Sequence, residues 1–227
     1  VPALLCETSL VIPEEGLRIR GFPIAELADR TPEEIFWLLC TGELPTDEQT
    51  SSLRQLLAER AQVPDYVWNT LRTLPPDSHP MALLSLGLLA MERESAFRAA
   101  FERGVPRAEL WQFLLEDCLT LLGRITTLAA GIYRLRFAQA APIAPNPELD
   151  WASNFAAMLG IPDPTGQFRD LLRLYLVLHS DHEGGNVSAL TGYTVASALS
   201  DPFYAISAGL NGLCLLYTSP SPRDRQK

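Results

Sequence analysis

The densest run of chemistry-bearing residues is His179-Ser180-Asp181-His182-Glu183-Gly184-Gly185-Asn186-Val187-Ser188. It follows an apolar stretch, Leu171 to Leu178, and precedes a helical segment beginning near Asn186. Adjacent glycines at a helix end release the backbone into positive φ. The next helix then offers first-turn N–H groups and the positive end of its dipole to an anion such as a dicarboxylate. A histidine held at such a turn can donate a hydrogen bond to a carboxylate or carbonyl oxygen. The same residues also suit a plain helix–turn–helix, in which His179 or His182 satisfies a backbone carbonyl. A metal site built from His179, His182 and Glu183 has little support, because the order matches no H-E-x-x-H pattern and no distant fourth ligand is evident. Ser188 and Ser207 lie outside any G-x-S-x-G sequence, which argues against a hydrolase nucleophile.

Two further positions stand out. His79, in Ser78-His79-Pro80, reads as a helix-start residue. Arg107, in Val105-Pro106-Arg107, falls at the first turn of a long predicted helix. Cations are mildly disfavoured at that end, so Arg107 is either an ordinary surface arginine or a residue placed to meet an anion.

The elements that must position these residues are helical almost throughout. Thr31-Pro32-Glu33-Glu34 forms a capping box with proline at the first helical position, followed by Ile35, Phe36, Leu38 and Leu39 and closed by Gly42. Thr46 to Gln49 repeats the device ahead of Leu53, Leu56 and Leu57. Further helices are expected near 65–73, 80–92, 95–103, 106–138, 150–160, 166–180, 187–199 and 203–213. In the second half of 106–138 the apolar residues Leu119, Leu121, Leu122, Ile125, Leu128, Ala129 and Ile132 run nearly all round. That half should be buried, in this chain or against another subunit. Pro142, Pro145 and Pro147 mark a loop. Strands are scarce, with Leu17–Arg20 the one segment able to pair with a short partner. The pattern is that of an all-α fold.

Composition bounds the function. The 227 residues are 47% hydrophobic and 20% charged, enough apolar material for a sizeable core. A net charge of −9 argues against a nucleic-acid binder. Cys6, Cys40, Cys118 and Cys214 form no C-x-x-C pair, which fits reduced, mostly buried thiols in an intracellular compartment and no structural metal. No apolar run reaches about eighteen residues, so no membrane span is expected. The chain opens on Val1 with no basic leader, which implies a missing amino terminus. From Thr218 to Lys227 there is no aliphatic residue, so the tail 214–227 is expected to be disordered and non-native. LLYTSPSPRDRQK resembles translated sequencing-adapter DNA.

The segment LRLYLVLHSDHEGGNVSAL, followed by SALSDPFYAISAGLNGL, resembles the citrate synthase family of the mitochondrial type. CETSLVIPEEGLRIRGFPI, FWLLCTGELPTDEQ, SHPMALLS and LDWASNFAAMLG resemble the matching stretches in the same order, so the likeness covers about residues 4–213. It implies an incomplete multi-helical large domain over 1–213, with the small domain missing, and a parent enzyme that is a homodimer. That parent condenses oxaloacetate with acetyl-CoA, its substrate rather than a resident cofactor. The resemblance assigns His182 to oxaloacetate binding, Ser188 to orienting a catalytic histidine, and Arg107 to the CoA phosphate from the partner subunit. It places the parent in the mitochondrial matrix if eukaryotic or the cytoplasm if bacterial.

The departures matter as much. Where the family continues with a small-residue turn and a histidine that stabilises the enol, this chain reads Cys214-Leu215-Leu216. The later histidine, the aspartate base and the carboxylate-clamping arginines belong further downstream, so no catalytic residue is expected here and the chain should be inactive. Two rivals stand beside this reading: a 2-methylcitrate synthase using propionyl-CoA, and a non-catalytic helical interaction protein. Helices that pack on a missing half would expose apolar faces and make the chain prone to aggregate.

Overall fold

A computed structural model describes residues 6–182 and 184–213. Three short strands, β1 (Ser9–Ile12), β2 (Gly16–Ile19) and β3 (Phe22–Pro23), form an antiparallel sheet in that order, with Ser9 opposite Ile19 and Ile19 opposite Phe22. The helices are α1 (Ile24–Leu27), α2 (Pro32–Thr41), α3 (Asp47–Glu59), α4 (Asp65–Arg72) and α5 (Pro80–Ala90). They continue with α6 (Ala96–Glu102), α7 (Leu110–Tyr133), α8 (Trp151–Leu159), α9 (Gln167–Leu178), α10 (Val187–Ser197) and α11 (Pro202–Leu213). The fold is all-α; the small sheet adds two strands to the one that sequence marks.

The local reasons match those in the sequence. The Glu34 carboxylate accepts the Thr31 backbone N–H at 2.7 Å, and Gly42 ends α2 in the left-handed region at φ 82°. Thr46 and Gln49 cap each other at the start of α3. His79 caps α5, its Nδ1 accepting the Met81 N–H at 3.2 Å. The 106–138 segment is not one uniform helix. Arg107–Glu109 is a separate 3₁₀ turn after Pro106, and Arg134–Ala138 widens into a π-turn that ends at Gln139 with φ 48°. Of the described cysteines, Cys40 is exposed and Cys6 and Cys118 are half-buried, so the expectation of mostly buried thiols does not hold. Cys40 lies in the last turn of α2, where the helix runs out to solvent. No described helix is long and apolar enough to cross a membrane. Residues 214–227, with the tail and Cys214, and Glu183 of the polar run fall outside the described residues.

The chain folds into two units, each made from two segments. The first comprises Val1–Gln62 and Leu122–Gly185. Its core joins Ile19, Leu27, Ile35 and Leu38 to Val177 of α9, all at 0–1% exposure. Trp151 ties α8 in place: its backbone N–H donates to Glu33 Oε1 and its indole N–H to the Leu122 carbonyl, both at 2.8 Å. Gly123 of α7 lies against α3, where an added Cβ would come within 2.9 Å of the Leu57 carbonyl.

The second unit comprises Val63–Leu121 and Asn186–Lys227. Here α11 packs on α5 through Ser207 and Ser85, whose hydroxyls are 2.7 Å apart, and Asn211 donates to Ser85 Oγ at 3.1 Å. Asp117 of α7 is buried and receives the Ser95 hydroxyl at 2.6 Å and the Ala96 and Phe97 N–H groups at 2.7 and 3.1 Å. It thereby caps α6 from a distance, supplying anion and acceptor to donors that have no partner inside the helix.

Candidate functional site

In the first unit, α9 delivers the His179–His182 run at its carboxyl end. The helix is anchored at Arg173, whose Nη2 lies 2.7 Å from Asp150 Oδ2 and 3.0 Å from Ser153 Oγ. Asp150 also caps α8 through the Ser153 N–H at 2.8 Å. Burial alone would raise the Asp150 pKa. Hydrogen bonds from the Ser153 backbone and hydroxyl and from Arg173 outweigh that effect and hold the carboxyl below its ordinary 3.8. An aspartate depressed in the folded state stabilises it above the unfolded pKa and loses that contribution as pH falls through the folded value. Asp150→Ala should therefore lower stability by about 1–2 kcal/mol at pH 7. Urea unfolding should show the gap to the parent chain closing below pH 3.8; a gap constant with pH would refute the assignment.

The two histidines of the turn differ in state. The His179 ring stacks on Tyr175 with centroids 4.0 Å apart, and its Nδ1 is 2.8 Å from the Tyr175 carbonyl. A carbonyl oxygen can only accept, so Nδ1 carries a proton and donates it there. His179 is thus the residue that satisfies a backbone carbonyl. The His182 imidazole is exposed and engages none of the described residues, while its carbonyl accepts the N–H of Gly184, which sits at φ 64°. Glycine takes that left-handed conformation without a Cβ penalty. Of the two, His182 is the one whose ring atoms stand ready for an outside partner.

In the second unit, Asn186 caps α10, its Oδ1 accepting the Ala189 N–H at 2.8 Å and the Ser188 hydroxyl at 2.6 Å. One first-turn donor that sequence reserves for an anion is therefore already taken, because asparagine is itself a strong N-cap. Ser188 retains its oxygen lone pairs. It is fixed by α11: a Cβ at Gly209 would come within 3.0 Å of the Ser188 carbonyl, and one at Gly212 within 3.2 Å of the Ser188 Cα. Sequence reading passed over these two glycines, although their i, i+3 spacing in an otherwise apolar helix is a signal for close helix approach. Arg107 is exposed on its 3₁₀ turn and lies before α7 proper rather than in its first turn.

A broad apolar groove of about 460 Å³ also belongs to the second unit, between α7, α10 and α11. Leu114, Cys118, Ser188, Tyr193, Ile206 and Leu213 are among its walls. Val187 and Leu190 of α10 and Tyr204 of α11 are also exposed. Among the described residues, no group of three His, Cys, Asp or Glu side chains could hold a metal ion.

The likeness to known proteins is extensive. The family described as "Citrate synthase, C-terminal domain" matches residues 1–214. Citrate synthase 4, mitochondrial, of Arabidopsis thaliana is 44% identical over 220 residues, which are 92% of this chain and 46% of that protein. The mitochondrial citrate synthase of Saccharomyces cerevisiae is 44% identical over 223 residues, 94% of this chain and 46% of the yeast protein. The chain thus spans about half the length of the curated relatives it matches. The crystal structure of citrate synthase from Pyrobaculum aerophilum superposes with a TM-score of 0.84 at 28% identity, covering 94% of this chain and 53% of that one. Since the family match runs from the amino-terminal sheet through α11 and takes in the histidine turn, this chain belongs to the citrate synthase family.

Proposed function

We propose that this chain is part of an acyltransferase that condenses oxaloacetate with acetyl-CoA and water to citrate and CoA, and that the 227 residues alone do not turn over. The observation that supports this most is the exposed His182 imidazole, which engages none of the described residues, at the α9 turn of a citrate synthase family member. His182 would donate to an oxaloacetate oxygen. Ser188, its backbone held by Gly209 and Gly212, would orient a catalytic histidine supplied from elsewhere in the parent protein. Arg107, exposed and cationic, would meet a CoA phosphate on the other subunit of a homodimer. We place the parent enzyme in the mitochondrial matrix if its source is eukaryotic and in the cytoplasm if bacterial.

The histidines support the inactive reading. There are three: His79 caps a helix, His179 is bound to the Tyr175 carbonyl, and His182 remains. Removing a proton from a thioester methyl needs a positioned base together with a donor to the developing enolate. The resemblance calls for an aspartate base and two further histidines as donors besides His182, so a single remaining imidazole leaves that set short, and each missing group costs about two to four orders of magnitude in rate.

The test is a thiol-release assay with oxaloacetate and acetyl-CoA, followed by calorimetric titration of oxaloacetate. No CoA release above the blank is expected, with weak saturable oxaloacetate binding that falls at least tenfold, about 1.5 kcal/mol or more, in His182→Ala. Measurable turnover would overturn the inactive reading. Binding indifferent to His182 would overturn its assignment.

A further inference from the structure

We infer that the outward side of α9 seats an apolar helix from the polypeptide that the longer relatives carry beyond the matched residues. The sequence of α9, QFRDLLRLYLVL, is apolar on two opposite sides. A helix of that kind belongs between two layers rather than at a surface. One side is packed. Val177 closes into the core of the first unit at 0% exposure, and Arg173 on the same side is bonded to Asp150 and Ser153. The other side is open among the described residues. Leu171, Tyr175 and Leu178, spaced i, i+4 and i+7 in one stripe, are 63%, 54% and 37% exposed.

The charges of the helix avoid that stripe. Arg169 pairs with Asp170 at 3.2 Å, and Arg173 reaches Asp170 at 3.2 Å and Asp150 at 2.7 Å. All three charged side chains of α9 are thus engaged elsewhere round the helix. A side meant for water carries such charges itself. Three large apolar side chains in their place mark a contact surface.

The occupant follows from the length of the relatives and from what lies at the end of the stripe. The match covers 46% of the mitochondrial citrate synthase of Saccharomyces cerevisiae, so more than half of that protein lies outside it. α9 ends at Leu178, and His182 follows four residues on. The function proposed above, on which this inference rests, needs a base and further donors brought to His182 from elsewhere in the parent protein. A helix laid along Leu171, Tyr175 and Leu178 runs toward that turn and carries its own chain into reach of it. A second copy of this chain would cover the stripe but would bring only the same incomplete set.

The probe is the part of the Saccharomyces cerevisiae protein on the carboxyl side of the matched 223 residues, co-expressed with this chain bearing an affinity tag. The tagged chain should capture the yeast segment. Leu171→Glu puts a charge into the stripe at the position furthest from the histidine turn, and should reduce capture about tenfold or more. Leu10→Glu adds the same charge at a 55% exposed residue of β1 and should leave capture unchanged. Both variants replace exposed side chains and should keep the helical circular dichroism of the unaltered chain. No capture by the unaltered chain, or capture that Leu171→Glu leaves intact, overturns the proposal. Self-association that persists beside the yeast segment and disappears in Leu171→Glu gives the stripe to a second copy, and overturns it as well. Capture decides the docking side, while CoA release by the captured pair and its loss in His182→Ala decide the function, so the failure of one is not mistaken for the failure of the other.

Discussion

Alanine in place of Asp117 is expected to cost about 3–5 kcal/mol of stability, among the largest effects of any single change in the second unit. The carboxylate is 3% exposed and receives the Ser95 hydroxyl and two N–H groups of α6. Its removal leaves those donors buried and unpaired, and each loses a charge-assisted bond of about 1.5–3 kcal/mol. Relaxation of α6 toward solvent would recover part of that sum, which sets the lower bound. Asparagine keeps one acceptor oxygen and should cost roughly half as much. A second readout is independent of stability. The Asp201 carboxyl is raised above its ordinary 3.8 by burial and, after that, by the nearby Asp117 charge, against the pull of the Phe203 and Tyr204 N–H groups and Arg98. Asp117→Ala should lower the Asp201 pKa, readable by carboxyl-carbon NMR. Urea unfolding that shows less than about 1 kcal/mol lost would contradict this account of α6 capping.

Leucine at Gly123 should be at least as damaging, about 4 kcal/mol or more. Two effects compete at this helical glycine. A side chain would add about 1 kcal/mol through helix propensity. Against that, the Cβ alone would lie 2.9 Å from the Leu57 carbonyl oxygen, 3.1 Å from Arg60 Cβ and 3.3 Å from the Arg60 carbonyl carbon. The obstacle is mostly backbone and cannot rotate away, so α3 and α7 must separate. Steric cost should win even for alanine, with a net loss of about 1–2 kcal/mol. Separation would also disturb the neighbouring Leu122 carbonyl, which accepts the Trp151 indole N–H at 2.8 Å. A shifted tryptophan fluorescence maximum should accompany the loss. A Gly123→Ala chain more stable than the parent would show that the two helices are free to give way.

How much of this was legible in the sequence depended on the range of the interactions. Helix positions were readable because their causes are local: Thr31 with Glu34, Thr46 with Gln49, and His79 before Pro80 all act within three residues. The sheet was half seen, since each strand has at most four residues and its pairing rests on turns rather than on alternation. Burial of the second half of α7 was partly evident from its apolar residues: Leu121, Leu128 and Ile132 are at most 4% exposed, while Leu119, Leu122, Ile125 and Ala129 are half-buried. The breaks at both ends of that segment were not evident, because π and 3₁₀ turns differ from an α-helix by one hydrogen-bond step. Glu33 stood in the sequence only as part of the Thr31-Pro32-Glu33-Glu34 helix start. Its burial depends on Trp151, 118 positions away, and no local pattern announces such a partner. The polar run at 179–188 stood out in the sequence, and the structure divides it, His179–Gly185 going to the first unit and Asn186–Ser188 to the second. Which of its histidines is occupied was not legible, because that is decided by the rotamer stacking His179 on Tyr175.

The core of the first unit has a consequence for the order of events during synthesis. Ile19, Leu27, Ile35 and Leu38 close on Val177, a residue made 139 positions after Leu38. At about 5–20 residues per second, the ribosome delivers that partner roughly 7–28 s later. During this interval the sheet and α2 are complete as local structures while their apolar sides wait in the open, and the intervening segment 63–121 emerges first. The nascent chain therefore presents the same short apolar stretch to its surroundings for far longer than a helix or hairpin takes to form. A chaperone that samples emerging chains on the scale of seconds should meet this protein chiefly through residues 17–44.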